Sequence, residues 1–295
     1  MTATALIAGV NKAGTTSLFV SLSEHPDIAP SSVKETRFFL PARYGMPLAP
    51  PAEWEAYFSE SPTAVRLEAT PAYFYGGAKV ATAILERIEQ PRVILVLREP
   101  IARALSFFEY QKMRLRFAAD MTLDNYLTET DRLDETDFDD PANEKYMAVR
   151  GSRYADWLGA WWDVLGQSNV YLLFFENLIA DQATALTNVA QWLELDPSRF
   201  PHNALRSENL TTGYKNKRMQ QLALAGNDKF EKLLRRVPAV KRSLRSAYFK
   251  LNGRQMRAEV TDAMREELAS RFEEPNERLR NQLTTANLAL PHWLT

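Results

Sequence analysis

The stretch Leu6-Ile7-Ala8-Gly9-Val10-Asn11-Lys12-Ala13-Gly14-Thr15-Thr16-Ser17-Leu18 decides how this chain is read. An apolar run ends at Gly9, a short loop with one lysine and a second glycine follows, and three consecutive hydroxyl residues lead into apolar positions at helical spacing, Leu18 and Leu22. Strand, glycine-containing loop and helix in that order form a phosphate cradle: loop amides and the helix N-terminus point at an anion, and lysine and hydroxyls add charge and donors. Gly9 and Gly14 have the spacing of the nucleotide P-loop, G-x-x-x-x-G-K-[ST], but Thr15 stands where that motif carries lysine. The lysine lies inside the loop at position 12. That disfavours metal-dependent nucleotide hydrolysis and suits contact with one phosphate and its bridging oxygen. On the loop alone, a phosphate cradle and an ordinary strand–helix turn both stay open.

Moving outward, Val93-Ile94-Leu95-Val96-Leu97 is a continuous apolar run, the pattern of a strand buried on both faces of a parallel sheet. Arg98-Glu99-Pro100 ends it, and a helix follows through Ile101, Leu105 and Phe108, with Pro100 suited to its first turn. Arg98 therefore belongs at the carboxyl end of a central strand, where open α/β sheets bind ligands, and Ser106 follows on the next helix. Together they can hold a second phosphate; the competing reading pairs Arg98 with Glu99. Ala64–Glu68 and Val170–Phe175 read as further strands. Helical spacing marks 78–89, 183–193, 216–236 and 261–283. Residues 26–63 are proline-rich and read as loop, with Lys34-Glu35-Thr36-Arg37-Phe38-Phe39 inside it. Arg153, Tyr154, Trp157, Trp161 and Trp162 are expected on one helix, chiefly as core, with an edge available to an acceptor. Residues 131–140 read as an acidic, solvated flap, and 201–216 as a polar loop.

Composition narrows the function classes. The chain has 295 residues, 45% of them hydrophobic, a net charge of −1 and no cysteine. A near-neutral balance argues against nucleic acid or an anionic membrane as partner. The lack of cysteine excludes disulfides and thiol catalysis, and fits a reducing compartment. His25, His202 and His292 are scattered, so no metal site is expected. His25 reads as a capping or packing residue. Met1-Thr2-Ala3-Thr4 runs straight into the first strand without a basic leader, and the expectation is a soluble, cytoplasmic protein with no membrane insertion.

Taken in order, these segments resemble the sulfotransferases that use 3′-phosphoadenosine 5′-phosphosulfate (PAPS), in the branch of the heparan sulfate enzymes and their bacterial relatives. Asn11, Lys12, Ala13, Gly14, Thr15, Thr16 and Ser17 resemble that family's 5′-phosphosulfate loop, and Arg98 and Ser106 its 3′-phosphate pair. Lys34 to Phe39 resembles the segment carrying its catalytic glutamate. Glu68 to Phe74 resembles its Glu-Lys-x-Pro-x-Tyr-Phe segment, and Phe272-Glu273-Glu274-Pro275-Asn276 with Leu279 its C-terminal helix. The resemblance implies a single domain over 1–295, with flexible acceptor-side segments at about 40–63 and 131–150. The implied fold is three-layer and P-loop-like, a central, mostly parallel sheet flanked by helices. It implies transfer of a sulfuryl group from PAPS, leaving PAP, to a hydroxyl or amine of a glycan, glycolipid or small molecule, without a metal. Lys12 and Glu35 are then catalytic, and Arg37, Glu68, Tyr73 and Tyr154 belong to the acceptor side, with Glu68 competing with Glu35 for the role of base. Three departures separate the chain from the heparan enzymes: Ala69 replaces a glycan-contacting lysine, Arg37 replaces a frequent histidine, and the paired C-terminal cysteines are missing. Heparan is therefore not carried over as acceptor. A small-molecule or nucleotide kinase and a non-catalytic PAP-binding protein are the alternatives.

Overall fold

The computed structural model describes residues 3–59, 63–118, 120–201, 212–214, 253–255 and 260–295. The expected polar loop from 202 and the helix at 216–236 lie outside these residues, apart from the backbone of two short strands, Thr212–Tyr214 and Gly253–Gln255, which pair antiparallel.

Five strands form one parallel sheet: β1 (Ala3–Gly9), β2 (Ile28–Pro30), β3 (Val65–Ala69), β4 (Pro91–Leu97) and β5 (Val170–Phe174), in the order β2-β3-β1-β4-β5. Apolar runs without alternation make these strands because both sheet faces are covered. Leu6, Ile7 and Ala8 of β1 and Val93 to Leu97 of β4 are fully buried. β2 was not expected. It is three residues long, too short for a periodic signal, and its proline is tolerated because it lies on an edge strand.

Helices cover the sheet: α1 (Thr15–Leu22), α2 (Leu40–Arg43), α3 (Pro51–Glu55), α4 (Gly77–Arg87), α5 (Pro100–Met113), α6 (Leu123–Thr130), α7 (Ala155–Leu165), α8 (Phe175–Ala180), α9 (Gln182–Trp192) and α10 (Asp262–Thr285). Residues 26–63 are thus less irregular than the sequence suggests: two short helices sit there, anchored by Trp54, whose ring packs against Phe38, Phe39 and Phe58. Residues 136–139 and 141–146 form 3-10 turns. The acidic stretch does not face solvent alone, because Asp131 makes a two-pronged ion pair with Arg271 of α10. Trp157 and Trp161 are core residues, Trp161 donating to the Phe74 carbonyl at 3.0 Å. Arg153 and Tyr154 precede α7 rather than belonging to it. His25 is buried; its Nδ1 accepts from the Asp27 amide, so Nε2 carries the proton and donates to the Asp196 carbonyl.

Strand order positions the site. From β1 the chain moves toward β3 and β2; from β4 it moves the other way, to β5. The loops leaving the carboxyl ends of β1 and β4 therefore part at the switch point of the sheet, the place where such sheets leave a crevice.

Candidate functional site

The β1–α1 loop has the backbone of an anion nest. Lys12 and Gly14 both take left-handed conformations, at φ 73° and 78°, either side of Ala13. Gly14 occupies the N-cap of α1, where no side-chain cap hydrogen bond forms. A nest needs its carbonyls turned away from the anion, and here arginines receive them. Arg98, following β4, donates to the Lys12 carbonyl at 3.0 Å, and Arg103 Nε of α5 donates to the Asn11 carbonyl at 3.0 Å. Gly14 is also required by packing: a Cβ at this position would lie 2.9 Å from the Phe175 ring. The opposite side of Phe175's environment is Arg98, whose guanidinium carbon is 4.6 Å from the ring centroid.

Arg98 is thus where the sequence predicts, at the end of a central strand. Its anticipated competitor, Glu99, is occupied elsewhere: the Glu99 carboxylate caps α5, accepting from the amides of Ile101 and Ala102. Burial lowers the pKa of Arg98, opposed by the nearby charge of Glu176. On α5, Arg103, Ser106 and Tyr110 fall at helical spacing on one face. Arg103 bonds the loop, and the Lys12 ammonium lies 4.6 Å from the Tyr110 ring centroid. The half-buried Ser106 sits between them on this loop-facing stripe.

The second half of the site is the segment 34–39, pinned from below by the end of β3. The Glu35 amide donates to the Ala69 carbonyl at 2.8 Å, and the Arg37 amide to Thr70 Oγ1 at 3.1 Å. Glu68 Oε1 accepts from the Thr36 amide, the Thr36 hydroxyl and the Thr70 hydroxyl, at 3.1, 3.0 and 2.6 Å. Tyr73 OH accepts from the Phe39 amide at 3.2 Å. These bonds hold Glu35 and Arg37 in left-handed backbone conformations, φ 68° and 59°, which non-glycine residues adopt at a cost. The side chain of Glu35 is 44% exposed and pairs with Lys34 at 3.0 Å. Tyr110 connects the two halves. Burial raises the pKa of its hydroxyl, and the charges of Arg114, Glu35 and Arg37 also act on it.

The two candidate carboxylates differ sharply. Glu68 is completely buried, and burial pushes its pKa up to about 7 against the hydrogen bonds from Thr70 and Thr36. Glu35 reaches solvent. Glu68, Tyr73 and Tyr154, expected on the acceptor side, are all buried. Glu68 and Tyr73 support the 34–39 segment, and the Tyr154 hydroxyl donates to the Arg98 carbonyl at 2.7 Å, at the end of β4. Of the acceptor-side set only Arg37 is exposed. Three residues escaped the sequence reading: Arg103, Tyr110 and Phe175. Arg103 and Tyr110 share the helical stripe of Ser106, a signal available in the spacing; Phe175 carried none beyond its apolar run. Among the described residues, no group of three or more His, Cys, Asp or Glu side chains is arranged to hold a metal, and no helix is long and apolar enough to cross a membrane.

Comparison with known proteins gives the family. The family model described as a sulfotransferase domain matches residues 3–274. Human heparan sulfate glucosamine 3-O-sulfotransferase 5 is 28% identical over 202 residues, covering 68% of this chain and 55% of that protein. The membrane-associated sulfotransferase kil1 of Dictyostelium discoideum is 32% identical over 110 residues, 36% of this chain and 22% of that protein. The chain thus spans about half the length of the human relative it matches. Among solved structures, a sulfotransferase from Alicyclobacillus acidocaldarius superposes over 100% of both chains with a TM-score of 0.69 at 18% identity, a likeness of fold.

Proposed function

This chain belongs to the sulfotransferase family, and we propose that it moves the sulfuryl group of PAPS to a hydroxyl of a small-molecule, glycan or glycolipid acceptor. The observation that carries this reading is the outward capture of the Asn11 and Lys12 carbonyls by Arg103 and Arg98, which fixes the left-handed turns of the loop at the start of α1. Asn11 to Ser17 hold the 5′-phosphosulfate, and Arg98 and Ser106 hold the 3′-phosphate.

In the reaction the bond between sulfur and the bridging oxygen breaks while a bond forms between sulfur and the acceptor oxygen. Negative charge collects on the departing phosphate. The Lys12 ammonium and the loop amides meet that charge from fixed positions, the arrangement in which electrostatic stabilisation is largest. The acceptor proton passes to the Glu35 carboxylate, a general base worth ~10²–10⁴-fold in rate. Glu35 rather than Glu68 takes this role because it is solvent-accessible, whereas Glu68 is sealed beneath Thr36. Arg37 and Tyr110 border the same space and orient the acceptor. Heparan is not assigned as the acceptor, since Ala69 offers no charge where the glycan enzymes have one. A single domain over the whole chain and a cytoplasmic location, consistent with the cysteine-free composition, complete the proposal.

The test is thermal. PAP should raise the melting temperature in EDTA, by mass action on the native state. Stabilisation by ATP only with Mg²⁺, and none by PAP, would instead point to a kinase.

A further inference from the structure

Arg103 is fully buried, yet among the described residues every hydrogen-bond acceptor of its guanidinium is neutral. Nε donates to the Asn11 carbonyl at 3.0 Å. One terminal nitrogen donates to the carbonyls of Met147 and Ala148, both at 2.9 Å, and to Ser152 Oγ at 3.1 Å. The other donates to Tyr75 OH at 2.8 Å. Burying a charge is costly, and an apolar side chain of similar volume would fill the same space without that cost. The fork also sits against backbone so closely that a Cβ on Gly151 would lie 2.7 Å from it. One residue thereby joins the phosphate loop to the 147–152 segment and to Tyr75 after β3.

We propose that Arg103 is a positioning residue of the 5′-phosphosulfate loop: its planar fork holds the Asn11 carbonyl outward, as Arg98 holds that of Lys12, so that the loop amides face the donor's 5′ group. The inference rests on the donor assignment made above. It assigns to Arg103 no contact with the donor. Its effect passes through the loop backbone, with its buried charge as a fixed positive background behind that loop. Lysine cannot reproduce it, because a single ammonium cannot reach Asn11 and Met147 in the directions the fork does.

The experiment compares two ligands. Calorimetry gives the affinities of the wild type, R103K, R103M and G151A for PAP and for adenosine 3′-phosphate, which lacks the 5′ group. Hydrogen exchange follows the amides of residues 10–17 against the rest of the chain. The expected result is that R103K and R103M lower the preference for PAP by about tenfold or more, with adenosine 3′-phosphate affinity held within about twofold, and that exchange rises in 10–17 and in the 147–152 segment the fork also holds, but not elsewhere. G151A, which displaces the fork while keeping its charge, shifts the preference the same way. A folded R103K with wild-type preference, an equal loss for both ligands, or exchange raised uniformly overturns the proposal. If neither Arg103 variant folds, G151A decides, and an unchanged preference there overturns it. A wild-type protein that binds no PAP refutes the donor reading itself, a result separate from any difference among the variants.

Discussion

The guanidinium of Arg98 donates to the carbonyl oxygen of Lys12 at 3.0 Å, so the residue assigned to the donor's 3′-phosphate also shapes the loop assigned to its 5′ end. On the proposed donor assignment a single side chain couples the two ends of one ligand, and removal of Arg98 should disturb both.

Arg98→Ala should weaken PAP binding by about 10–100-fold, the scale of charge-assisted hydrogen bonds. Adenosine 5′-phosphosulfate, which lacks the 3′-phosphate, should lose less, through the Lys12 carbonyl alone. Ser106→Ala should affect only the ligand that carries the 3′-phosphate. Calorimetric affinities for both ligands check this; equal losses in Arg98→Ala would reduce Arg98 to a loop support.

Glu35→Gln retains shape and removes the base. Its kcat with a surrogate hydroxyl acceptor should fall roughly 10²-fold or more while PAP affinity stays near wild type, since the lost interaction belongs to the transition state. Lys12→Ala should damage turnover and donor binding together. A near-normal rate in Glu35→Gln would remove Glu35 from the mechanism.

Glu68 should leave a signature in stability against pH. Its pKa is pushed from an ordinary 4.5 up to about 7 in the folded chain, so between these values the native state keeps a proton that the unfolded state has released. The contribution of this group is fully favourable below about pH 4.5, declines as pH rises, and levels off above about pH 7, a fall of roughly 3 kcal/mol. Glu68→Gln should abolish that fall. Urea unfolding across this range, taken as the difference between wild type and variant, measures it, and parallel curves would contradict it.

Gly14→Ala places a methyl group on a left-handed backbone 2.9 Å from the Phe175 ring. Strain and overpacking together should cost roughly 1–3 kcal/mol. Because Phe175 also stacks on Arg98, the lowered melting temperature should come with weaker PAP binding. Unchanged affinity at lowered stability would show that the loop adapts around the methyl group.

The sequence by itself determined the parts whose signals are local. The apolar runs at 6–9 and 93–97 specify buried parallel strands because a strand covered on both faces has no polar side to show. The Gly9–Gly14 loop with Lys12 marks a strand–loop–helix turn, because glycines in that spacing allow the left-handed backbone that such a turn needs. Arg98 follows because it ends such a strand. The tertiary structure alone decided what depends on residues far apart in the chain. Glu35 and Glu68 look alike in sequence. What separates them is that Thr36 and Thr70 close over Glu68 while Glu35 is held out on a left-handed backbone. Arg103 reads as one more polar residue on a helix until Asn11, Tyr75, Met147 and Ser152 converge on it, from three segments that only folding brings together. A hydrogen bond is specified by where two atoms end up, and that position is set by packing across the whole sheet rather than by the residues next in line.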